Sequence, residues 1–135
     1  LECKGDTLQH KDKCYRLINN ELVTWDEAKQ KCGEDEMELA SAPDRETNSF
    51  LSNKFSSSDI AWLGGYRDDV INKTGWRWID KNEMWAFTSW APGEPRIHEA
   101  LATNYNKPGQ WDDQKKETKH YYFCQFLAKG LYSCN

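Results

Sequence analysis

The sequence contains no apolar stretch that approaches the length of a membrane-spanning helix. It also lacks a basic excess, because its formal net charge is −4 and its isoelectric point lies near 5.4, whereas a phosphate-binding protein needs a basic face. The chain opens on Leu1-Glu2-Cys3, without a charged and then apolar leader. These absences argue against a membrane span and a nucleic-acid partner, and they predict a mature soluble product.

Internal repeats and low-complexity linkers are absent too, and the 135 residues carry seven Trp, six Tyr and five Phe. A chain of this length is large enough to bury a real core as one compact unit. We therefore predict a single domain over residues 1–135.

None of the five cysteines belongs to a close C-x-x-C pair, the spacing typical of zinc and redox sites. Disulfide bonds are the better interpretation, and the odd count leaves one thiol over. Cys134, beside the end of the chain, is the natural candidate for a bond to another chain, which predicts a disulfide-linked dimer; a free or capped thiol is the alternative. Asn72-Lys73-Thr74 is a candidate glycosylation sequon, which agrees with secretion.

Local patterns predict a strand and two helices, followed by short strands between long polar loops. Residues 14–18 are typical of a short strand. Thr24 and Glu27 form a capping box that starts the first helix. Trp25 and Cys32 fall on one face of that helix, which turns Cys32 toward the core.

The second helix is predicted to begin near Ser41 or Asp44 as its N-cap. Its inward-facing residues are those at helical spacing: Thr47, Phe50, Leu51 and Phe55. Residues 60–65 form an apolar run stopped by glycines, which indicates a buried strand at the centre of the core. Residues 76–79 and 121–126 are two further strands. This order of elements predicts an α+β fold.

Four acidic residues stand in two nearby loop-like segments: Glu94, Glu99, Asp112 and Asp113. Calcium takes roughly six to eight oxygen ligands in a flexible geometry, so separate loops can supply them. Arg96 conflicts with this interpretation. A guanidinium has no acceptor and a permanent charge, so Arg96 cannot coordinate a cation and should repel one nearby.

Several motifs occur in the order found in C-type lectin-like domains, and the chain resembles that family over nearly all of its length. The matching motifs are Trp62-Leu63-Gly64-Gly65, Trp90, Glu94-Pro95-Arg96, Glu99 and Trp111-Asp112-Asp113. The resemblance implies a fold of two helices packed on small antiparallel sheets with a long loop region. It also implies a non-enzymatic carbohydrate-recognition domain with two disulfide bonds, Cys3 to Cys14 and Cys32 to Cys124.

The chain departs from the family in a second core disulfide bond, whose positions are by spacing about Leu101 and Lys116. Both cysteines are missing, so no orphan thiol is left. Because such a bond generally contributes about 2–4 kcal/mol, we expect a more mobile binding loop.

The second departure lies in the site. In sugar-binding relatives five side chains hold calcium and two sugar hydroxyls, and the matching positions here are Glu94, Arg96, Glu99, Asp112 and Asp113. The resemblance makes the four acidic residues the predicted calcium ligands and all five residues ligand contacts. The two asparagine amides of the relatives are replaced. Arg96 can still donate to a hydroxyl, but an ionised Asp112 cannot. The identity of the sugar is therefore left open.

Two states of the acidic cluster remain open. Facing carboxylates repel unless they hold a metal, hold a proton or move apart, and their number favours calcium. Alternatively, Arg96 folds inward and neutralises Glu94 or Asp112 with its planar fork, as a built-in substitute for the ion.

Other side chains are candidate ligand contacts. His98 is one, although a lone histidine on a polar loop is more often only exposed. Tyr105 is predicted to stack on an apolar face of a sugar, as Trp85 and Trp111 can unless they belong to the core. A second calcium site is predicted to be absent, with Asp68 as a possible remnant.

Three functions remain, and the first is a secreted, calcium-dependent lectin whose partner is a carbohydrate or glycoconjugate. The second is a calcium-independent module that binds an acidic or acetamido sugar, or a protein surface, with Arg96 in place of the metal. The third is a glycoside hydrolase, ranked last because a solvent-facing acidic loop gives little reason for the raised pKa that an acid catalyst needs. We predict the first, and no enzymatic activity.

Overall fold

The computed structural model describes residues 2–68 and 75–128. These residues form two helices and eight strands, and both helices lie in the first half of the chain. In chain order they are β1 (Leu8–His10), β2 (Lys13–Val23), α1 (Trp25–Glu34), β3 (Glu38–Leu39), α2 (Arg45–Lys54), β4 (Ala61–Arg67), β5 (Trp76–Trp78), β6 (Ala100–Thr103), β7 (Asp112–Gln114) and β8 (His120–Leu127). The predicted α+β class and each predicted strand and helix are confirmed.

The strands form one connected sheet in the order β1-β2-β8-β4-β6-β7, with β3 added to β8 and β5 added to β4. All described pairings are antiparallel except that of β4 with β8, which is parallel. The small antiparallel sheets implied by the resemblance are connected here into one mixed sheet, because β8 pairs with strands from both halves of the chain.

Side-chain caps fix the start of both helices. The Thr24 hydroxyl accepts from the Glu27 N–H, and the Glu27 carboxylate accepts from the Thr24 N–H, which is the predicted capping box. Asp44, rather than Ser41, caps α2 by accepting from the Thr47 N–H at 2.8 Å. Burial would raise the pKa of Asp44, but hydrogen bonds from Lys11 and Thr47 outweigh it and lower the pKa to about 2.

The core lies on both faces of β4, as its apolar run predicts. The first five residues of this strand are buried. Gly64 allows the chain to approach β3, because a Cβ at this position would lie 2.7 Å from the Leu39 carbonyl oxygen. The Gly64 N–H donates to the Ala40 carbonyl at 2.7 Å. This close approach fixes the position of β4, which ends at Arg67.

Two disulfide bonds join the described cysteines, Cys3 to Cys14 and Cys32 to Cys124. Both pairings implied by the resemblance are therefore confirmed. The second bond ties the buried face of α1 to β8 across 92 residues of sequence. Cys134 and Asn72 lie outside the described residues.

The positions of the missing family disulfide are occupied by packing contacts. Leu101 on β6 is fully buried in the core. The Lys116 carbonyl accepts from the Trp25 N–H at 3.1 Å, and its ammonium lies 5.3 Å from the centre of the Trp25 ring. These contacts tie both positions to the fold, and the expectation of a more mobile loop stays a prediction.

Within residues 2–68 and 75–128, no helix is long and apolar enough to cross a membrane.

Candidate functional site

An aromatic cluster under the loops positions the acidic residues. Trp111 is fully buried and its indole N–H donates to the Asn48 side-chain carbonyl on α2 at 2.9 Å. Its backbone N–H donates to the Ser89 carbonyl at 2.8 Å, and its carbonyl accepts from the Ala91 N–H at 2.9 Å. The segment before Glu94 is thus bonded directly to the residue before Asp112. This pairing brings the two acidic segments together.

Three of the four predicted acidic ligands converge. Glu94, Asp112 and Asp113 each offer one carboxylate oxygen, and these three atoms lie within 4.8 Å of one another. Among the described residues Glu99 does not join this group. Its backbone carbonyl accepts from the Arg67 N–H at 2.9 Å, which pairs this segment with the end of β4.

Asp113 is committed to the backbone of the neighbouring loop. One carboxylate oxygen accepts from the Arg96 N–H at 2.9 Å and the other from the His98 N–H at 2.7 Å, and the side chain is 0% exposed. Burial would raise the pKa of Asp113, but these two backbone hydrogen bonds outweigh it and lower the pKa. A buried carboxylate with two charge-assisted bonds holds the loop in one conformation.

Glu94 is paired with Arg96. The Arg96 Nε and Nη2 atoms lie 3.2 and 3.0 Å from the same Glu94 carboxylate oxygen. The Glu94 side chain is 4% exposed and the Arg96 side chain 66% exposed. Burial raises the pKa of Glu94 to about 6, the bonds from Arg96 oppose this, and the adjacent Asp112 and Asp113 carboxylates add to it. The ion pair has the geometry of the predicted salt-bridged alternative.

Asp112 is held by a hydrogen-bonded chain that runs through Gln114 to His120. One Asp112 carboxylate oxygen accepts from the Gln114 amide NH₂ at 2.9 Å. The Gln114 carbonyl oxygen contacts His120 Nε2, which must carry the hydrogen because an amide oxygen only accepts. Burial lowers the pKa of His120, although Asp112 opposes this. A neutral imidazole therefore orients Gln114, and Gln114 orients Asp112.

Arg67, at the end of β4, is the site residue that the sequence did not predict. Its Nε donates to the His98 carbonyl at 3.1 Å and its Nη2 to the Arg96 carbonyl at 3.1 Å. The same Nη2 lies 3.6 Å from a carboxylate oxygen of Asp113. Its guanidinium lies 4.8 Å from the centre of the Trp76 ring. Arg67 thus binds the carbonyls of residues 96 and 98, and Asp113 binds their N–H groups.

The only sequence signal for Arg67 is a cation at the end of a buried strand, which is also typical of an ordinary solvated strand end. Three further residues carried no signal in the sequence: Asn48, Gln114 and His120. The partner of Asn48, Trp111, is distant in sequence. His120 reaches Asp112 only through Gln114. Such roles depend on pairing across the sheet.

An open pocket of about 430 Å³ lies over this network. It is lined by residues of three segments: Arg96, Ile97, His98, Tyr105, Asp112, Asp113, Gln114, Lys115 and Thr118. Its volume is in the range of ligand pockets. The lining therefore includes Tyr105 and His98, two of the side chains predicted to contact a ligand. Trp85 packs against the core beneath, 5.6 Å from Trp111 between ring centres, and neither ring lines this pocket.

The donor set fits calcium poorly as it is arranged. Both Asp113 oxygens accept backbone hydrogen bonds, and the Glu94 carboxylate already faces a guanidinium. A cation at the centre of the three carboxylates would lie next to the permanent charge of Arg96. A carboxylate oxygen of Asp68, the residue named above for a second calcium site, lies 3.9 Å from an Arg77 nitrogen. The arrangement can instead donate and accept hydrogen bonds directly.

The chain is similar in sequence to known proteins over most of its length. Residues 21–126 match the family model described as "Lectin C-type domain". The C-type lectin lectoxin-Lio3 of Erythrolamprus poecilogyrus is 33% identical over 141 aligned residues, which cover 95% of this chain and 83% of the relative.

Two solved structures share the fold. A Ca²⁺-dependent type II antifreeze protein in its Ca²⁺-free form has a TM-score of 0.82 at 25% identity and covers 93% of this chain and 100% of its own. A calcium-independent type II antifreeze protein has a TM-score of 0.82 at 22% identity, with coverage of 94% and 95%.

Proposed function

Because the chain belongs to the Lectin C-type domain family, we propose that it is a carbohydrate-binding lectin that recognises sugar in the pocket above Arg96 and Asp112. We further propose that residues 1–135 form one such domain and that it is secreted. Its relatives are named as lectins and antifreeze proteins, and the prediction of no enzymatic activity is confirmed.

Our proposal is that the site binds sugar without calcium. The observation that carries it is the Arg96 to Glu94 ion pair, with Nε and Nη2 on one carboxylate that is 4% exposed. The guanidinium supplies the positive charge that three converging carboxylates need. Since Arg96 is mostly exposed, its remaining N–H groups can donate to sugar hydroxyls. The Asp112 oxygen that does not bind Gln114 can accept from them.

A calcium-dependent lectin is the second candidate function. It is favoured by the three carboxylate oxygens that lie within 4.8 Å of one another, since calcium binds such oxygens. Binding of the ion requires Arg96 to leave Glu94 and turn into solvent. Glu94, Asp112 and Asp113 would then be its ligands, with Glu99 added only after rearrangement of its loop.

The two candidates predict different effects of calcium on the parent protein, and Arg96→Asn is the variant that tests whether Arg96 is the cause. This change removes the charge and adds an amide oxygen next to Glu94. We expect calcium to leave the melting temperature of the parent unchanged. It should raise that of Arg96→Asn by about 4 °C or more at calcium concentrations roughly tenfold above the dissociation constant. Differential scanning calorimetry with calcium and with chelator measures both values.

The control is Arg45→Asn, which removes an exposed arginine that stacks on Phe87 outside the pocket. It should behave like the parent. Glycan-array binding of the parent should be equal in calcium and in chelator. If chelator abolishes that binding, the calcium-dependent candidate is correct.

We also propose that Cys134 links two chains, because the other four cysteines are paired within the chain. A non-reducing gel should show a dimer that Cys134→Ser converts to monomer; monomer alone for the parent contradicts this. A dimer matters because linking two weak sugar sites can raise avidity by roughly 10²- to 10⁴-fold when both engage.

A further inference from the structure

We infer that the ligand of this pocket is an acidic sugar, with an anionic group on one side of its ring and hydroxyls on the other. The inference rests on the proposed function and narrows it to one chemical class. It follows from the donors and acceptors that the ion pairs of the site leave unused.

Arg96 retains unused donors on its outer side. Its two contacts with Glu94 employ Nε and Nη2, and Nη1 makes no hydrogen bond with any of the described residues. A guanidinium has a second edge formed by Nη1 and Nη2, and such an edge matches a carboxylate with two parallel N–H bonds. The Glu94 pair also fixes the guanidinium, so less side-chain freedom is lost when a ligand binds.

The ion pairs at the pocket leave one cation, Lys115, and one carboxylate, Asp112, without a partner of opposite charge among the described residues. Glu94 is paired with Arg96, and Asp113 with Arg67 at 3.6 Å. Lys115 lines the same pocket, is exposed and has no ion pair within the part of the chain that the structure describes. Lys115 and the outer edge of Arg96 therefore offer positive charge to an anion that enters the pocket.

Asp112 defines the opposite requirement. It is buried, it lines the pocket, and one of its oxygens accepts from the Gln114 amide, while its carboxylate also adjoins that of Glu94. The lone pairs that do not face Gln114 can accept from a sugar hydroxyl. The same carboxylate repels an anion placed against it. The ligand must therefore present hydroxyls to Asp112 and its acid group to Arg96 and Lys115.

Apolar surface completes the pocket. Ile97 is 83% exposed and Tyr105 40% exposed, and both line it. Tyr105 and Arg96 line the same pocket. An aromatic ring beside a cation packs against the C–H face of a sugar ring while the cation holds its acid group. A neutral sugar can donate a hydroxyl to Asp112 and pack on Tyr105, but it supplies no anionic partner for Arg96 and Lys115.

The test compares matched glycans on the parent protein, with chelator present throughout. Sialyllactose and a glucuronide supply a carboxylate, sulfated lactose supplies a sulfate, and lactose is the neutral reference. We expect binding of at least one acidic glycan to exceed that of lactose by roughly tenfold or more, since a charge-assisted hydrogen bond contributes that much. Isothermal titration calorimetry measures each dissociation constant, and the carboxylate and sulfate results identify which anion the pocket takes.

Lys115→Ala should lower binding of the acidic glycan by a larger factor than binding of lactose, so that most of the roughly tenfold preference is lost. Lys119→Ala is the matched control, because it removes the same charge from an exposed position outside the pocket. The preference should also fall as salt is added. Unchanged melting temperatures establish that both variants are folded.

The outcomes separate this inference from the function on which it rests. If lactose and the acidic glycans bind equally well, the pocket is a sugar site but the inference is wrong. If no glycan binds in either buffer, both are wrong and a protein ligand is favoured. An equal loss in Lys115→Ala and Lys119→Ala would assign the preference to overall charge and contradict a role for the pocket.

Discussion

Replacing Cys32 and Cys124 together by alanine is expected to lower the free energy of unfolding by about 4–5 kcal/mol. The bond between them spans 92 residues of sequence, so its removal frees most of the chain in the unfolded state. In the folded state both sulfur atoms are buried where α1 packs against β8. A loss of this size approaches the whole stability of a small domain.

Urea unfolding followed by tryptophan fluorescence measures this loss. The matched control is the double replacement of Cys3 and Cys14, whose separation is 11 residues. The chain-entropy model gives about 3 kcal/mol for that shorter loop. A Cys32→Ala, Cys124→Ala protein that melts like the parent would contradict the assignment of this bond as the main covalent support of the fold.

Replacing Asp113 by alanine is expected to lower the free energy of unfolding by about 3–5 kcal/mol and to abolish sugar binding. The change leaves the Arg96 and His98 N–H groups without their acceptors, which lie at 2.9 and 2.7 Å. It also leaves Arg67 without its carboxylate partner. Both consequences act on residues 96–98, which carry the Arg96 side chain of the proposed site.

Thermal and urea unfolding measure the stability loss, and glycan binding is measured at a temperature where the variant is folded. Glu117→Ala, which removes an exposed carboxylate after β7, is the control and should cost less than about 0.5 kcal/mol. A loss below about 1 kcal/mol for Asp113→Ala would show that the loop is held by other contacts. Full sugar binding by that folded variant would remove Asp113 from the site.

The local patterns of the sequence predicted the elements well. Periodicity placed α1, α2 and β4 because a helix face and a buried strand depend on neighbouring residues alone. The capping box at Thr24 needed only residues within one helical turn. The motif order that resembles the lectin family then supplied the pairings of four cysteines, which periodicity cannot give.

The sequence predicted most residues of the candidate site but not the hydrogen bonds and ion pairs between them. Glu94, Asp112 and Asp113 meet as expected, while Glu99 does not join them. Whether Arg96 faces inward was left open, because a flexible side chain has several carboxylates within reach. Arg67 was missed altogether, since its partners lie on a loop that follows it by some thirty residues.

By itself the sequence determined the fold class, the family and the chemical types at the site: an acidic cluster with one arginine and no catalytic motif. Only the tertiary structure decided which charges pair. The pairing of β4 with the segment before β6, and of β6 with β7, brings Arg67 to the Arg96 carbonyl and Asp113 to the Arg96 N–H. The physical reason is range. Side-chain periodicity is local, whereas a hydrogen bond or ion pair forms only between groups that the folded chain brings within about 3–4 Å.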